Sequence, residues 1–133
     1  MSADVAYLDT SAVVKLLMRE PETVALRRRL RTWERRASAA LLRVELLRAV
    51  KRAGIPRLMT QTRRQLATIH LIRLDDELLE RAAELEPPSI RSLDAIHLAA
   101  ALSLGSDLAA VVTYDNRMLS AAQAIGLPVV APR

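Results

Sequence analysis

The chain is 133 residues long, 51% hydrophobic, and carries a formal net charge of +5 from 20 Lys and Arg against 15 Asp and Glu. That length suits one domain over residues 1–133 with a sizeable core and leaves no room for a second. There is no cysteine, which excludes disulfides and thiolate metal sites, and no apolar run approaches the ~20 residues a bilayer requires, so the chain reads as a cytoplasmic protein without a membrane association.

Val5–Leu8 (VAYL) reads as a buried strand that ends at Asp9. Asp9 opens a helix with Ala12, Val13, Leu16 and Leu17 on one face. Pro21 suits a first helical turn and predicts a second helix to about Glu34. Ala37–Leu41 reads as a short strand. Leu42 to Ala53 is a helix, with Leu42, Leu46, Leu47 and Val50 at helical spacing and Gly54 closing it. Pro56 begins another helix, to about His70. Leu71–Leu74 is a brief strand, and Asp76 caps a helix through Leu85. Pro87–Pro88 cannot lie inside a helix and marks a loop over Glu86–Ser92. Leu93 to Leu104 is helical and closes at Gly105. Ala109–Thr113 is the clearest strand, Asp115–Ile125 a helix closed by Gly126, and Pro128–Ala131 a last strand. Apolar strands alternating with helices predict an α/β fold, its parallel sheet covered on both faces.

The acids carry the functional signal. Asp9 directly follows the first strand, and Asp115 follows the clearest strand after Tyr114 alone. In a parallel sheet both then lie at the carboxyl edge, where open α/β sheets bind ligands. Asp94 falls in the first turn of the helix after the proline loop, where the helix dipole favours an anion. Glu45 sits near the start of its own helix between Val44 and Leu46. Four carboxylates on one edge repel one another and resist ionising together, so such a site calls for cations. All-oxygen ligation selects Mg²⁺ or Mn²⁺, and the chemistry that uses it is phosphodiester hydrolysis by a metal-activated water. Each acid also has a plainer reading. An Asp at a helix start is often only an N-cap, worth about 1 kcal/mol, as Asp76 illustrates. The coincidence of four is what favours a site.

The segments VAYLDTSAVVKLL, ALLRVELLRAV, RSLDAIHLAAAL and VVTYDNRM, in that order, closely resemble the VapC toxins of the PIN-domain superfamily over nearly the whole chain. The resemblance implies a three-layer α/β/α sandwich around a mostly parallel sheet of about five strands. It implies an Mg²⁺-dependent endoribonuclease, with Mn²⁺ able to substitute, that is neutralised by a cognate VapB-type antitoxin protein. Such toxins form homodimers and higher toxin–antitoxin assemblies. By position, Asp9 and Asp94 are the principal metal ligands, with Glu45 and Asp115 completing the cluster, and Ser11 supports the site.

Other residues are weighed against plainer roles. His97, one turn beyond Asp94 on the same face, reads as a core histidine before it reads as a partner of the site; His70 reads as structural. Arg27, Arg28, Arg29, Arg31, Arg35 and Arg36 wrap a helix and read first as a solvated face, then as a surface for RNA or for the antitoxin. Arg91 and Arg117 are better placed to meet a substrate phosphate beside the metal. With only Tyr7, Trp33 and Tyr114 as aromatics, base stacking cannot dominate RNA recognition. Two alternatives stay open: an RNA-processing or structure-specific nuclease of the same fold, and a non-catalytic nucleic-acid-binding domain whose acids are caps.

Overall fold

A computed structural model describes residues 3–133, so the first two residues of the expected 1–133 domain lie outside it. The elements run in the order β1 (Val5–Leu8), α1 (Thr10–Leu17), α2 (Thr23–Leu30), β2 (Arg35–Ala39), α3 (Leu41–Ala53), α4 (Leu58–Ala67), β3 (His70–Ile72), α5 (Asp76–Glu84), α6 (Ser92–Leu102), β4 (Leu108–Val112), α7 (Asn116–Ala124) and β5 (Val129–Val130). The five strands form one sheet in the order β3-β2-β1-β4-β5, and every neighbouring pair is parallel. β1 is central and buried at all four positions, which is why it carries no charged residue.

Alternation along β1 divides the core between the two faces. Ala6 and Leu8 pack with Val13, Leu26, Leu42 and Leu46 from the α1–α4 layer. Tyr7 packs with Leu78, Ala82, Ala95 and Ala99 from α5 and α6. Met118 and Ala122 of α7 join that second layer through Leu98. The result is the expected α/β/α sandwich. Gly54 (φ 70°) and Gly126 (φ 78°) end α3 and α7 in the left-handed conformation, as their positions predicted.

Several boundaries differ, each for a local reason. The second helix stops at Leu30, and the strand after it starts at Arg35, two residues earlier than expected. Val5 pairs with Arg35 there, and the Arg35 side chain forks onto both oxygens of Asp4 at 3.0 and 2.7 Å. Arg35 and Arg36 are therefore strand residues, and the basic run does not wrap one helix. The fourth helix covers only Leu58–Ala67, and the strand after it is His70–Ile72. Asp75, and not Asp76, caps α5, accepting from Leu78 N at 2.9 Å.

The sheet's order creates the place for a site. The chain leaves β1 towards β2 and β3 on one side and returns to β4 and β5 on the other, so the direction of winding reverses between β1 and β4. Crevices at such reversals, beyond the carboxyl ends of the strands, take ligands. The register between β1 and β4 skips Ala109, pairing Val5 with Leu108 but Ala6 with Ala110. This slip sets Val112 opposite Leu8 and brings Thr113 beside Asp9.

Candidate active site

Asp9 is the innermost acid, 4% exposed. It is the N-cap of α1: Oδ1 accepts from Ala12 N at 3.1 Å and from Ser11 Oγ at 2.6 Å. Thr113 Oγ1 donates to Oδ2. Two backbone amides fix these hydroxyls in turn: Tyr114 N donates to Ser11 Oγ at 2.9 Å and Asp115 N to Thr113 Oγ1 at 3.1 Å. Both hydroxyl protons are thus directed at Asp9, and the 3.3 Å approach of Ser11 to Thr113 is a close contact more than a bond. Burial pushes the Asp9 carboxyl above its ordinary range, with Ser11, Thr113 and the Ala12 amide pulling the other way.

Glu45 reaches the edge from α3. Its Oε1 accepts from Thr10 Oγ1 at 2.7 Å and meets His97 Nε2 at 2.7 Å. Burial works against its charge, but the bonds from His97 and Thr10 together bring the carboxyl below its usual value. His97 is buried, and its Nδ1 meets the Tyr7 hydroxyl at 2.7 Å. Burial raises the Tyr7 phenol far above its ordinary range.

Asp94 and Asp115 form the outer part of the edge. Among the described residues no protein group donates a hydrogen bond to the Asp94 carboxylate. Partial burial and the neighbouring charge of Asp115 both raise it, while Arg117 and Arg91 lower it. Asp115 is the N-cap of α7, accepting from Arg117 N at 2.9 Å, with the Arg117 guanidinium 3.8 Å from its other oxygen. Asp9 and Asp115 are thus caps, as the plainer reading held, yet both stand at the edge where the sheet's winding reverses.

A groove of about 490 Å³ opens beside Asp94, lined by Arg91, Asn116, Arg117, Ser120 and Ile90. A larger cavity of about 590 Å³ lies between α5 and α6 and meets none of the four acids. Arg91 and Arg117 therefore line the groove with Asp94, the one of the four acids that it meets. The basic run is dispersed. Arg35 pairs with Asp4, Arg29 stacks 5.1 Å over the Trp33 ring, and Arg27, Arg31 and Arg36 line a small cleft with Leu16 and Gln65, away from the acids.

Among the described residues, no three His, Cys, Asp or Glu side chains stand close enough to enclose an ion unaided. The donor set still fits a hard divalent cation. It is all carboxylate oxygen, the repulsion between Asp94 and Asp115 is of the kind a cation relieves, and Mg²⁺ commonly takes only one or two carboxylates and keeps several waters.

Three residues of the site escaped the sequence reading or were under-read. Thr113 was taken as the end of a strand, Thr10 was not singled out, and His97 was placed in the core without its bond to Glu45. The signal for Thr113 was present, as a polar residue closing an apolar strand just before an acid. Thr10 and His97 meet Glu45 across 35 and 52 residues of sequence, which no local pattern encodes.

Known proteins resemble this chain in sequence and in fold. The family model described as the PIN domain matches residues 6–124. Ribonuclease VapC46 of Mycobacterium tuberculosis (strain ATCC 25618 / H37Rv) is 50% identical over 126 residues, covering 95% of this chain and 96% of that protein. Among solved structures, a toxin–antitoxin complex from Klebsiella pneumoniae superposes with a TM-score of 0.73 at 24% identity, over 96% of this chain and 98% of that one. M. tuberculosis VapC20, described as a sarcin-ricin-loop-cleaving toxin, gives 0.72 at 16% identity, over 96% and 99%. The two structural likenesses bear on the fold.

Proposed function

The chain belongs to the PIN-domain family as a VapC-type member, and from that premise we propose that it is a metal-dependent endoribonuclease, the toxin half of a toxin–antitoxin pair. One observation supports this reading above the rest. Three hydrogen bonds hold Asp9 in a dry interior where a lone carboxylate is costly, at the sheet edge where Asp115 caps its helix beside Asp94.

Asp9 and Asp94 would hold Mg²⁺, or Mn²⁺ in its place, with Glu45 and Asp115 completing the set. Such an ion, when bound, supplies the charge that ionises a water at neutral pH and offsets the leaving oxygen. Ser11 and Thr113 keep the Asp9 oxygens from turning. Glu45, held ionised by His97 and Thr10, keeps Oε2 free of protein hydrogen bonds and available to a water's proton. Arg91 and Arg117 bring two guanidinium forks to the groove beside Asp94, suited to an RNA phosphate. With so few aromatics, recognition falls to phosphates and RNA shape.

A VapB-type antitoxin, and a homodimer within a larger toxin–antitoxin assembly, belong to the same proposal. Val24, Val44 and Leu93 are each more than half exposed, apolar surface of the kind partners cover. No helix among the described residues is long and apolar enough to cross a membrane, and we place the protein in the cytoplasm.

The test is cleavage of total RNA by wild type and by Asp94→Asn, with Mg²⁺ or Mn²⁺ and then with EDTA. Wild type should cleave only with metal, and Asp94→Asn should be slower by roughly 10²–10³-fold. Equal cleavage by the two proteins would remove Asp94 from the site.

A further inference from the structure

Tyr7 and His97 lie outside the set of four acids, yet a single line of hydrogen bonds joins them to it. Tyr7 alternates along β1 to the face covered by α5 and α6 and is fully buried. Its hydroxyl meets His97 Nδ1 at 2.7 Å, and the two rings pack edge to face, 5.9 Å apart at 77°. The opposite ring nitrogen, Nε2, meets Glu45 Oε1 at 2.7 Å, the oxygen to which Thr10 also donates. Beyond Tyr7, Ser38 Oγ is buried and makes no hydrogen bond of its own, although it lies near enough to the Tyr7 hydroxyl to influence it. His97 comes from α6 and Glu45 from α3, so this line ties the two helical layers together across the carboxyl edge.

Chemistry fixes the direction of the line. An ionised carboxylate only accepts, so Nε2 must carry a hydrogen. A phenol keeps its proton at neutral pH, and a neutral imidazole protonated at Nε2 offers Nδ1 as its acceptor. The Tyr7 oxygen then has a lone pair for the Ser38 hydroxyl, among the described residues the one buried side-chain polar atom left without a partner. With protons running from Tyr7 to His97 to Glu45, each of these three groups is satisfied. The opposite arrangement needs an imidazolium and obliges Tyr7 to find another acceptor.

We propose that Tyr7 and His97 are positioning residues for Glu45: Tyr7 locks His97 as the Nε2–H tautomer, and His97 with Thr10 occupies Glu45 Oε1 so that Oε2 alone remains for cation or water. Neither residue touches the reacting atoms. The idea rests on the reading of Glu45 as part of the metal site, and the experiment separates the two. Partners of this kind, one step behind a ligand, typically change metal affinity by 10- to 100-fold.

The first measurement is the ¹⁵N spectrum of the His97 ring in the wild-type protein, with His70→Gln to assign the second histidine. We expect one ring proton, on Nε2. A proton on Nδ1, alone or as imidazolium, overturns the proposal. The second is Mn²⁺ affinity by calorimetry. Tyr7→Phe and His97→Ala should each weaken binding about 10-fold, while His97→Gln, whose amide can still donate to Glu45, should stay within about threefold of wild type. Folded Tyr7→Phe protein that binds Mn²⁺ as wild type does would overturn it too. Should Tyr7→Phe not fold, the Ala and Gln variants at His97 carry the same comparison. Should wild type bind no Mn²⁺, the metal reading fails, and the relay is still judged by the His97 spectrum and by whether the Glu45 carboxyl ¹³C resonance moves in His97→Ala.

Discussion

The inner and outer acids of this edge are built by opposite rules. Asp9 and Glu45 are held before anything binds: five donors from Ser11, Ala12, Thr113, Thr10 and His97 converge on their oxygens. Asp94 accepts no hydrogen bond from a described protein group, and Asp115 only that of its own helix turn. The inner pair is set by the fold, whereas Asp94 borders an open groove and is repelled by Asp115. Preorganised ligands keep their geometry in the empty protein, and loosely held ones gain theirs with the ligand. That division leaves room for a substrate phosphate to approach from the outer side without disturbing the inner one.

The sharpest way to break the comparison is Thr113→Val, which keeps the shape and removes one hydroxyl. It takes a donor from Asp9 and an acceptor from Asp115 N. We expect a loss of about 1–3 kcal/mol in stability, because buried groups are left unpaired, and a fall in cleavage on the order of 10- to 100-fold. Urea unfolding and RNA cleavage measure the two. A variant as stable and active as wild type would show that Asp9 needs no holding.

A smaller effect, in pH, tests the ranking of inner against outer. Burial raises Asp9 in the folded state above its ordinary 3.8. Between those values the folded protein holds a proton the unfolded chain has lost. That contribution to stability is complete below about 3.8 and disappears as pH rises through the folded value. Asp9→Asn removes this loss and retains an acceptor for Ser11 and Ala12. Without metal, the variant's Tm should therefore gain on wild type by a few degrees as pH rises from acid to neutral, then hold level. Asp94 is raised in the same sense but is better solvated, so Asp94→Asn should show the same trend more weakly. Melting curves across that range decide, and a larger gain for Asp94→Asn would reverse the ranking.

The same contrast explains what the sequence made legible. Strand ends and helix starts are local signals, and they place Asp9, Asp94 and Asp115 at helix starts and Glu45 within its helix, as the structure has them, with the α/β architecture around them. Beyond Ser11 and the Ala12 amide, what supports the inner pair is not local. Thr113 meets Asp9 across 104 residues, and Tyr7 meets His97 across 90. Only sheet register and layer packing bring those together. The arginine run failed for a related reason. Helical spacing is read from one segment, but pairing of Val5 with Arg35 pulled the end of that segment into the sheet. Two arginines of one apparent face thereby became strand residues.

The smallest expected effect concerns the rim of the outer pair. Arg117 is bound to Asp115 only at 3.8 Å, and its side chain is 55% exposed, so the pair itself adds little to stability. On the proposed reading its worth lies in meeting a phosphate in the groove it shares with Arg91 and Asp94. A single phosphate contact contributes about one unit to the slope of log binding against log salt, regardless of sequence. Arg117→Ala and Arg91→Ala should each lower RNA affinity only severalfold at moderate salt, flatten that slope by about one, and leave Mn²⁺ affinity and Tm where they were. An Arg31→Ala control, in the cleft away from the acids, should leave the slope alone. If the control flattens it as much as Arg117→Ala does, RNA runs past the arginine cleft as well, and the outer groove is only part of its path.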